Sequence, residues 1–212
     1  MVATYHTGMP SLPVAELSDH ATLAEALRGY GACLLPGFPD GANTAALREV
    51  LKRLQASGAL RRAEVGHGVA RHLRTDIRGD ETRWLDRDCG QAALDYLSCL
   101  RSLRQALNRR LFLGLEEEEA HFACYPAGAG YQRHRDQFQG SSTRVLSMVS
   151  YLNDNWSASH GGALRLYVAQ GTIELLPHAG TSIIFLSEIE HEVLPATRER
   201  RSIASWLRTR AR

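Results

Sequence analysis

No stretch of this chain approaches the roughly 18 consecutive apolar residues that a membrane-spanning helix requires. Its first residues carry no basic segment followed by an apolar one, the pattern of a secretory leader. A cytoplasmic protein with no membrane partner is the expectation. Cysteine is sparse: Cys33, Cys89, Cys99 and Cys124 are scattered, with no C-x-x-C pair, and read as reduced thiols. Charge of one sign is missing too. Lys and Arg number 25 against 23 Asp and Glu, for a net charge of +2. An obligate nucleic-acid binder would be far more basic. There is no stripe of interleaved aromatic and basic residues to stack single strands, which argues against a nucleic-acid demethylase. No internal repeat or low-complexity segment stands out.

What is there suits one globular domain with a substantial core: 212 residues, 44% hydrophobic and 23% charged. Residues 18–115 read as helical support. Ser18 or Asp19 caps a helix carrying Leu23, Ala26, Leu27 and Tyr30, ended by Gly29 and Gly31. Ala32 to Leu35 is a short strand closed by Pro36-Gly37. A second helix spans about Thr44 to Ala56, with Leu47, Val50, Leu51 and Leu54 on one face. The third and longest carries Leu94, Leu97, Leu100, Leu103, Leu107 and Leu111, a core stripe. Between them, Leu60 to Asp88 is irregular and charged, with strands around Arg61 to Glu64 and Val69 to Leu73; such stretches are usually functional or mobile.

Beyond the acidic run Glu116 to Glu119, read as a solvated turn, residues 119–210 change character. Short alternating segments appear at His121–Tyr125, Tyr131–Arg135, Arg144–Tyr151, Ala163–Val168, Thr172–Leu176, Ser182–Leu186, His191–Leu194 and Ser202–Leu207, separated by glycine, asparagine and proline turns. Eight short strands after a group of helices predict an α+β, mainly β fold: a double-stranded β-helix, or jelly roll, buttressed on one sheet by the N-terminal helices.

The chemistry concentrates at His134-x-Asp136. In a strand, residues i and i+2 share a face, so imidazole and carboxylate aim at one spot. With His191 they form the two-histidine, one-carboxylate set of non-haem Fe(II) oxygenases, which leaves one face of the metal open. A keto acid such as 2-oxoglutarate, chelating that iron, needs a cation for its distal carboxylate. Arg198, Arg200 and Arg201 compete for that role. Alternation puts Arg200, Ser202, Ala204 and Trp206 on one face and Arg201, Ile203 and Ser205 on the other. Cys124 beside this site reads as a small buried hydrophobe. His67, His72, His121, His160 and His178 lack a partner at ligand spacing and read as structural or exposed.

The run Ala123-Cys-Tyr-Pro-x-Gly-x-Gly-Tyr131-x-Arg-His134-x-Asp136 resembles the core of the prolyl 4-hydroxylases that act on the hypoxia-inducible factor in animals, and of their bacterial relatives. Tyr151-Leu-Asn-x-x-Trp156, Gly161-Gly-x-Leu-Arg165, His191-Glu-Val-x-Pro-Ala196 and Arg200 to Trp206 follow the same pattern in the same order. So does Asp76-Ile-Arg-Gly-Asp80 with Trp84, which in that family belongs to a loop over the active site. The resemblance covers roughly residues 30–210. It implies Fe(II), 2-oxoglutarate and O₂, with ascorbate as accessory reductant. It aligns Arg200 with the cosubstrate arginine and Tyr125 and Tyr151 with pocket tyrosines, Tyr151 donating to the distal carboxylate. Trp206 would wall the pocket, and Tyr131, Arg144, Arg78 and Asp80 would stand near the substrate.

The implied activity is hydroxylation of an unactivated C–H bond, with succinate and CO₂ as coproducts. The implied partner is a protein with a target proline, elongation factor Tu being the candidate by resemblance to bacterial members. A free amino acid or other small metabolite is the alternative, because Gln137-Phe-Gln-Gly-Ser-Ser-Thr143 lacks the family's acidic, asparagine-rich loop. A metal-binding module without catalysis would not need His134, Asp136, His191 and Arg200 together.

Overall fold

Asp19 and Asp40 start the first two helices. The Asp19 carboxylate accepts from the Thr22 N–H at 3.1 Å, and that of Asp40 from the Asn43 N–H at 2.9 Å, satisfying amide groups that a helix start leaves unpaired. In the computed structural model, which describes residues 11–63, 77–137 and 143–210, α1 is His20–Gly29 and α2 is Gly41–Ala56. The second helix begins three residues before Thr44 because Asp40, not a later residue, caps it. α3 is Gln91–Leu111. Its core face is Ala93, Tyr96, Leu100, Leu103, Ala106 and Leu107; Leu94, expected in the stripe, is 38% exposed. Over 21 residues the 3.6-residue turn carries a three-and-four leucine spacing off the buried face at its ends.

The strands are β1 Ala32–Pro36, β2 Arg61–Arg62, β3 Glu81–Trp84, β4 Glu117–Tyr125, β5 Tyr131–His134, β6 Arg144–Tyr151, β7 Leu164–Val168, β8 Gly171–Leu175, β9 Thr181–Leu186, β10 Glu190–Val193 and β11 Arg200–Arg208. One sheet runs β1-β9-β6-β11-β4-β3-β2, the other β5-β10-β7-β8, and the pairings within both are antiparallel. This is the expected double-stranded β-helix. The expected strand at Val69 to Leu73 lies outside the described residues, as do Glu64, His67, His72 and Asp76.

Alternation along the strands of the large sheet divides two cores. Outward-facing Phe122, Leu146, Met148, Ile184, Ile203 and Leu207 pack against the leucines of the three helices. Inward-facing Ala123, Tyr125, Tyr151, Ile183 and Phe185 meet Leu164, Leu166 and Val193 of the small sheet. Burial of that apolar area drives the assembly at about 25 cal/mol per Å². Tyr96 pins helix to sheet: its hydroxyl lies 2.8 Å from Ser150 Oγ and 3.0 Å from Ser205 Oγ.

The acidic run corrects the expectation of a solvated turn: Glu117 to Glu119 open β4. Arginines make that placement tolerable. Glu118 accepts from Arg101 and Arg104, at 2.9 and 2.7 Å, and Glu119 from Arg144 at 2.8 Å and Arg208 at 2.5 Å.

Candidate active site

Between the sheets lies a small cavity, lined on the large sheet by His121, Ala123 and Tyr125 of β4 and by Arg200, Ser202, Ala204 and Trp206 of β11. At one side of it His134 ends β5 and pairs directly with His191 of β10. Their rings lie 4.2 Å apart, centroid to centroid. Asp136 sits in the bend beyond β5 rather than in the strand. Its N–H donates to the Ser187 carbonyl at 3.1 Å, and this contact, not strand alternation, sets its direction. The carboxylate oxygens stand 3.8 Å from His134 Nε2 and 3.6 Å from His191 Nε2. One ligand atom from each residue falls within a common 4.8 Å, and among the described residues no other such group exists.

Each imidazole is oriented from behind. His134 Nδ1 donates to the Gln132 carbonyl at 2.7 Å and His191 Nδ1 to the Ile189 carbonyl at 3.0 Å. A carbonyl only accepts, so the proton sits on Nδ1 and the Nε2 lone pair faces its partners, the form a metal takes. Burial, then the nearby His191, lowers the His134 pKa to about 4, against the pull of Asp136. Burial pushes the Asp136 carboxyl up, but His191, His134, Arg144 and a hydrogen bond from Ser147 outweigh it and hold it at about 2. His134 is therefore neutral and Asp136 ionised at neutral pH, and with His191 they fit a divalent ion with an affinity for nitrogen and oxygen.

At the closed end, Arg200 is 1% exposed. Its Nε donates to the Gly162 carbonyl at 2.9 Å and its Nη1 to Ser202 Oγ at 3.1 Å. No carboxylate among the described residues pairs with it, and Nη2 has no partner. The hydroxyl of fully buried Tyr151 has none either. The guanidinium carbon lies 5.3 Å from the Tyr151 ring centroid and 5.4 Å from that of Tyr125. A buried cation without a counter-ion, beside an unmatched hydroxyl, is costly unless an anionic ligand completes it. Arg198 lies over Trp156, and Arg201 pairs with Glu199 outside the cavity. Of the three competing arginines, Arg200 alone lines it.

Of the other expected residues, Tyr131 and Arg78 line the cavity, while Asp80 and Arg144 do not. Tyr131 stacks on His134 at 3.6 Å, and Arg78 lies over Tyr131 while pairing with Asp80 through bonds of 2.6 and 3.0 Å. Asp80 is buried. Arg144 covers the Trp206 ring at 3.5 Å and comes within 4.0 Å of Asp136. Cys124 points the other way: it accepts from Gln55 at 3.1 Å, and burial, then Glu199, pushes its thiol up to about 12.

His121 is structural, one of its two expected readings, but ligand spacing gave no sign that it lines the cavity. It is 3% exposed and lines the cavity, with Trp84 and Trp206 at 5.1 and 5.2 Å. Alternation from Tyr125 through Ala123 was the available signal. Two buried serines, Ser147 and Ser187, were missed as well; isolated serines in strands carry no signal.

A family model described as the 2OG-Fe(II) oxygenase superfamily matches residues 120–208. Human prolyl hydroxylase EGLN3 is 30% identical over 190 residues, spanning 85% of this chain and 79% of that protein. The chain belongs to the prolyl hydroxylase family of 2-oxoglutarate- and Fe(II)-dependent oxygenases. Among solved structures, a Pseudomonas putida prolyl-4-hydroxylase is 40% identical, with a TM-score of 0.82 over 90% of this chain and 99% of that one. A Trichoplax adhaerens prolyl hydroxylase, in complex with a hypoxia-inducible-factor oxygen degradation domain peptide, is 28% identical, with a TM-score of 0.80 over 91% of this chain and 90% of that one. This family member is a 2-oxoglutarate-dependent dioxygenase that uses Fe(II), 2-oxoglutarate and O₂. Among the described residues no helix is long and apolar enough to cross a membrane.

Proposed function

We propose that this dioxygenase hydroxylates a prolyl residue of a protein, elongation factor Tu being the first substrate to test, and that His134, Asp136 and His191 hold its iron. The observation that carries the site assignment is the buried, anion-free guanidinium of Arg200 beside the unmatched Tyr151 hydroxyl. With Fe(II), 2-oxoglutarate and O₂ bound, O₂ would be the oxidant: two electrons would come from oxidative decarboxylation of 2-oxoglutarate to succinate and CO₂ and two from the C–H bond, one oxygen atom passing to succinate and the other to the hydroxylated product.

The chain's own residues bind, orient and exclude. Arg200 Nη2 and the Tyr151 hydroxyl donate to the distal carboxylate of 2-oxoglutarate, and their placement in a closed apolar end makes those bonds strong. Ser202 and the Gly162 carbonyl hold the guanidinium so that Nη2 is the donor left over. Tyr125 and Trp206 wall the cosubstrate. Tyr131, Arg144, Arg78 and Asp80 form the rim that meets the protein substrate, with Asp80 fixing the Arg78 fork in place. Support for a prolyl target comes from the relatives, one of which is seen with a peptide from a protein substrate.

The test is incubation with elongation factor Tu, Fe(II), 2-oxoglutarate and O₂, followed by peptide mass spectrometry. The expected result is one added oxygen on a proline, with succinate in equal amount. Succinate formation driven by free proline or another small molecule, with proteins unmodified, would overturn the protein-substrate reading and favour a metabolite hydroxylase.

A further inference from the structure

Asp136 is the ligand outside a strand, and the chain compensates through one buried serine. The Ser187 carbonyl accepts from both the Asp136 and the Gln137 N–H, each at 3.1 Å. The Ser187 N–H donates to the Val145 carbonyl of β6 at 3.0 Å. Its side chain completes the connection. Ser147 Oγ donates to Asp136 Oδ2 at 2.7 Å, and the Ser147 and Ser187 hydroxyls lie 2.8 Å apart. An ionised carboxylate only accepts, so the single Ser147 proton is spent on it. The proton between the two hydroxyls therefore comes from Ser187, and the chain runs Ser187 to Ser147 to Asp136. Both serines are buried, so no solvent competes for these bonds.

The consequence is chemical. Oδ2, 3.6 Å from His191 Nε2, carries the serine hydrogen bond, and Oδ1, 3.8 Å from His134 Nε2 and 4.0 Å from Arg144 Nη1, is the oxygen without one. Two histidines and one carboxylate oxygen leave three coordination positions for other ligands, and a second oxygen from Asp136 would close one of them. We propose that Ser187, acting through Ser147, is a positioning residue that makes Asp136 present a single oxygen to the metal. Ser187 also lies four residues before His191, so the turn that orients the carboxylate leads directly into the strand bearing the second imidazole. This rests on the reading of His134, Asp136 and His191 as the iron site.

The test is Co(II) binding by calorimetry and by the visible spectrum of the bound ion, for the wild type, Ser147→Ala, Ser187→Ala, the double variant and Ser147→Thr. Loss of a partner that orients a ligand costs on the order of 10- to 100-fold in metal affinity. Each alanine variant is expected to bind Co(II) at least about tenfold more weakly, with an altered spectrum, and Ser147→Thr to restore both. Because Ser187 acts through Ser147, the double variant is expected to be no worse than Ser147→Ala. Losses that multiply in the double variant overturn the proposal, and so does an unchanged spectrum and affinity in Ser187→Ala. If Ser147→Ala does not fold, judged by its melting curve without metal, Ser187→Ala against the wild type still decides. A wild type that binds no Co(II) removes the iron-site reading itself, and this proposal with it.

Discussion

Arg200 lines the cavity and meets fully buried Tyr151, 5.3 Å from guanidinium carbon to ring centroid, and each keeps one buried polar atom without a partner among the described residues. Neither Nη2 nor Oη has a hydrogen-bond partner among the described residues. A dicarboxylate chelated to the metal at its other end would satisfy both. Tyr151→Phe removes one neutral donor, and the affinity for 2-oxoglutarate is expected to fall about tenfold. Arg200→Lys keeps the charge but loses the planar fork, and a fall of roughly 10- to 100-fold is expected. Calorimetry of 2-oxoglutarate on the metal-loaded protein measures both; wild-type affinity in Arg200→Lys would remove the assignment.

Gly162 carries the carbonyl that receives Arg200 Nε, and it does so at φ +71°, where a side chain is strained. A Cβ there would stand 2.9 Å from Ala196 Cβ, 3.1 Å from Trp156 Cζ2 and 3.5 Å from Arg200 Cδ. Gly162→Ala is therefore expected to destabilise the fold by roughly 1–3 kcal/mol and to weaken 2-oxoglutarate binding. Urea unfolding and cosubstrate titration read the two effects separately. A fully stable variant would contradict the strain argument, and unchanged cosubstrate binding would contradict the role of the Gly162 carbonyl in holding Arg200.

Much of this arrangement was legible in the sequence, for a physical reason. Turn residues and period-two alternation bound each strand, so β6 was expected at Arg144–Tyr151 and is found there. The same alternation separated Arg200 from Arg201. What escaped was set by contacts between distant segments. Ser187 reaches Ser147 across 40 residues, and nothing local marks either one. Glu117 to Glu119 looked too acidic for a strand because the four arginines that neutralise them come from α3, β6 and β11. Asp80 was expected to stand near the substrate, yet it is buried under its ion pair with Arg78.

That ion pair gives a third prediction. Asp80 is 2% exposed, and both its oxygens accept from Arg78. Asp80→Ala leaves a mostly buried guanidinium without its partner, at an expected cost of roughly 3 kcal/mol. Replacing both residues, as Arg78→Met with Asp80→Ala, removes the unpaired charge, and most of that stability is expected to return. Chemical unfolding of the two variants distinguishes this from a simple packing loss, in which the double variant would be the weaker one. The double variant is nonetheless expected to bind protein substrate poorly, because the cation at the rim is gone.

The last prediction concerns His121 and acid. Its ring is buried between Trp84 and Trp206, and its Nδ1 donates to the Phe122 carbonyl at 3.0 Å. Burial, then the positive charge of Arg78, lowers its pKa from 6.5 to about 4, against the attraction of Asp80. In the unfolded chain the same imidazole takes up a proton near pH 6.5. Between pH 6.5 and about 4 the unfolded state therefore binds more protons than the folded one, and stability falls as the pH falls. A shift of this size corresponds to roughly 3 kcal/mol once the pH is below both values. His121→Phe removes the titrating group and keeps an aromatic ring in the wall. Its melting temperature is expected to drop less than that of the wild type between pH 7.5 and pH 5, whatever the change at neutral pH. Parallel melting curves for the two proteins across that range would show instead that His121 is not held neutral, and that the acid sensitivity arises elsewhere.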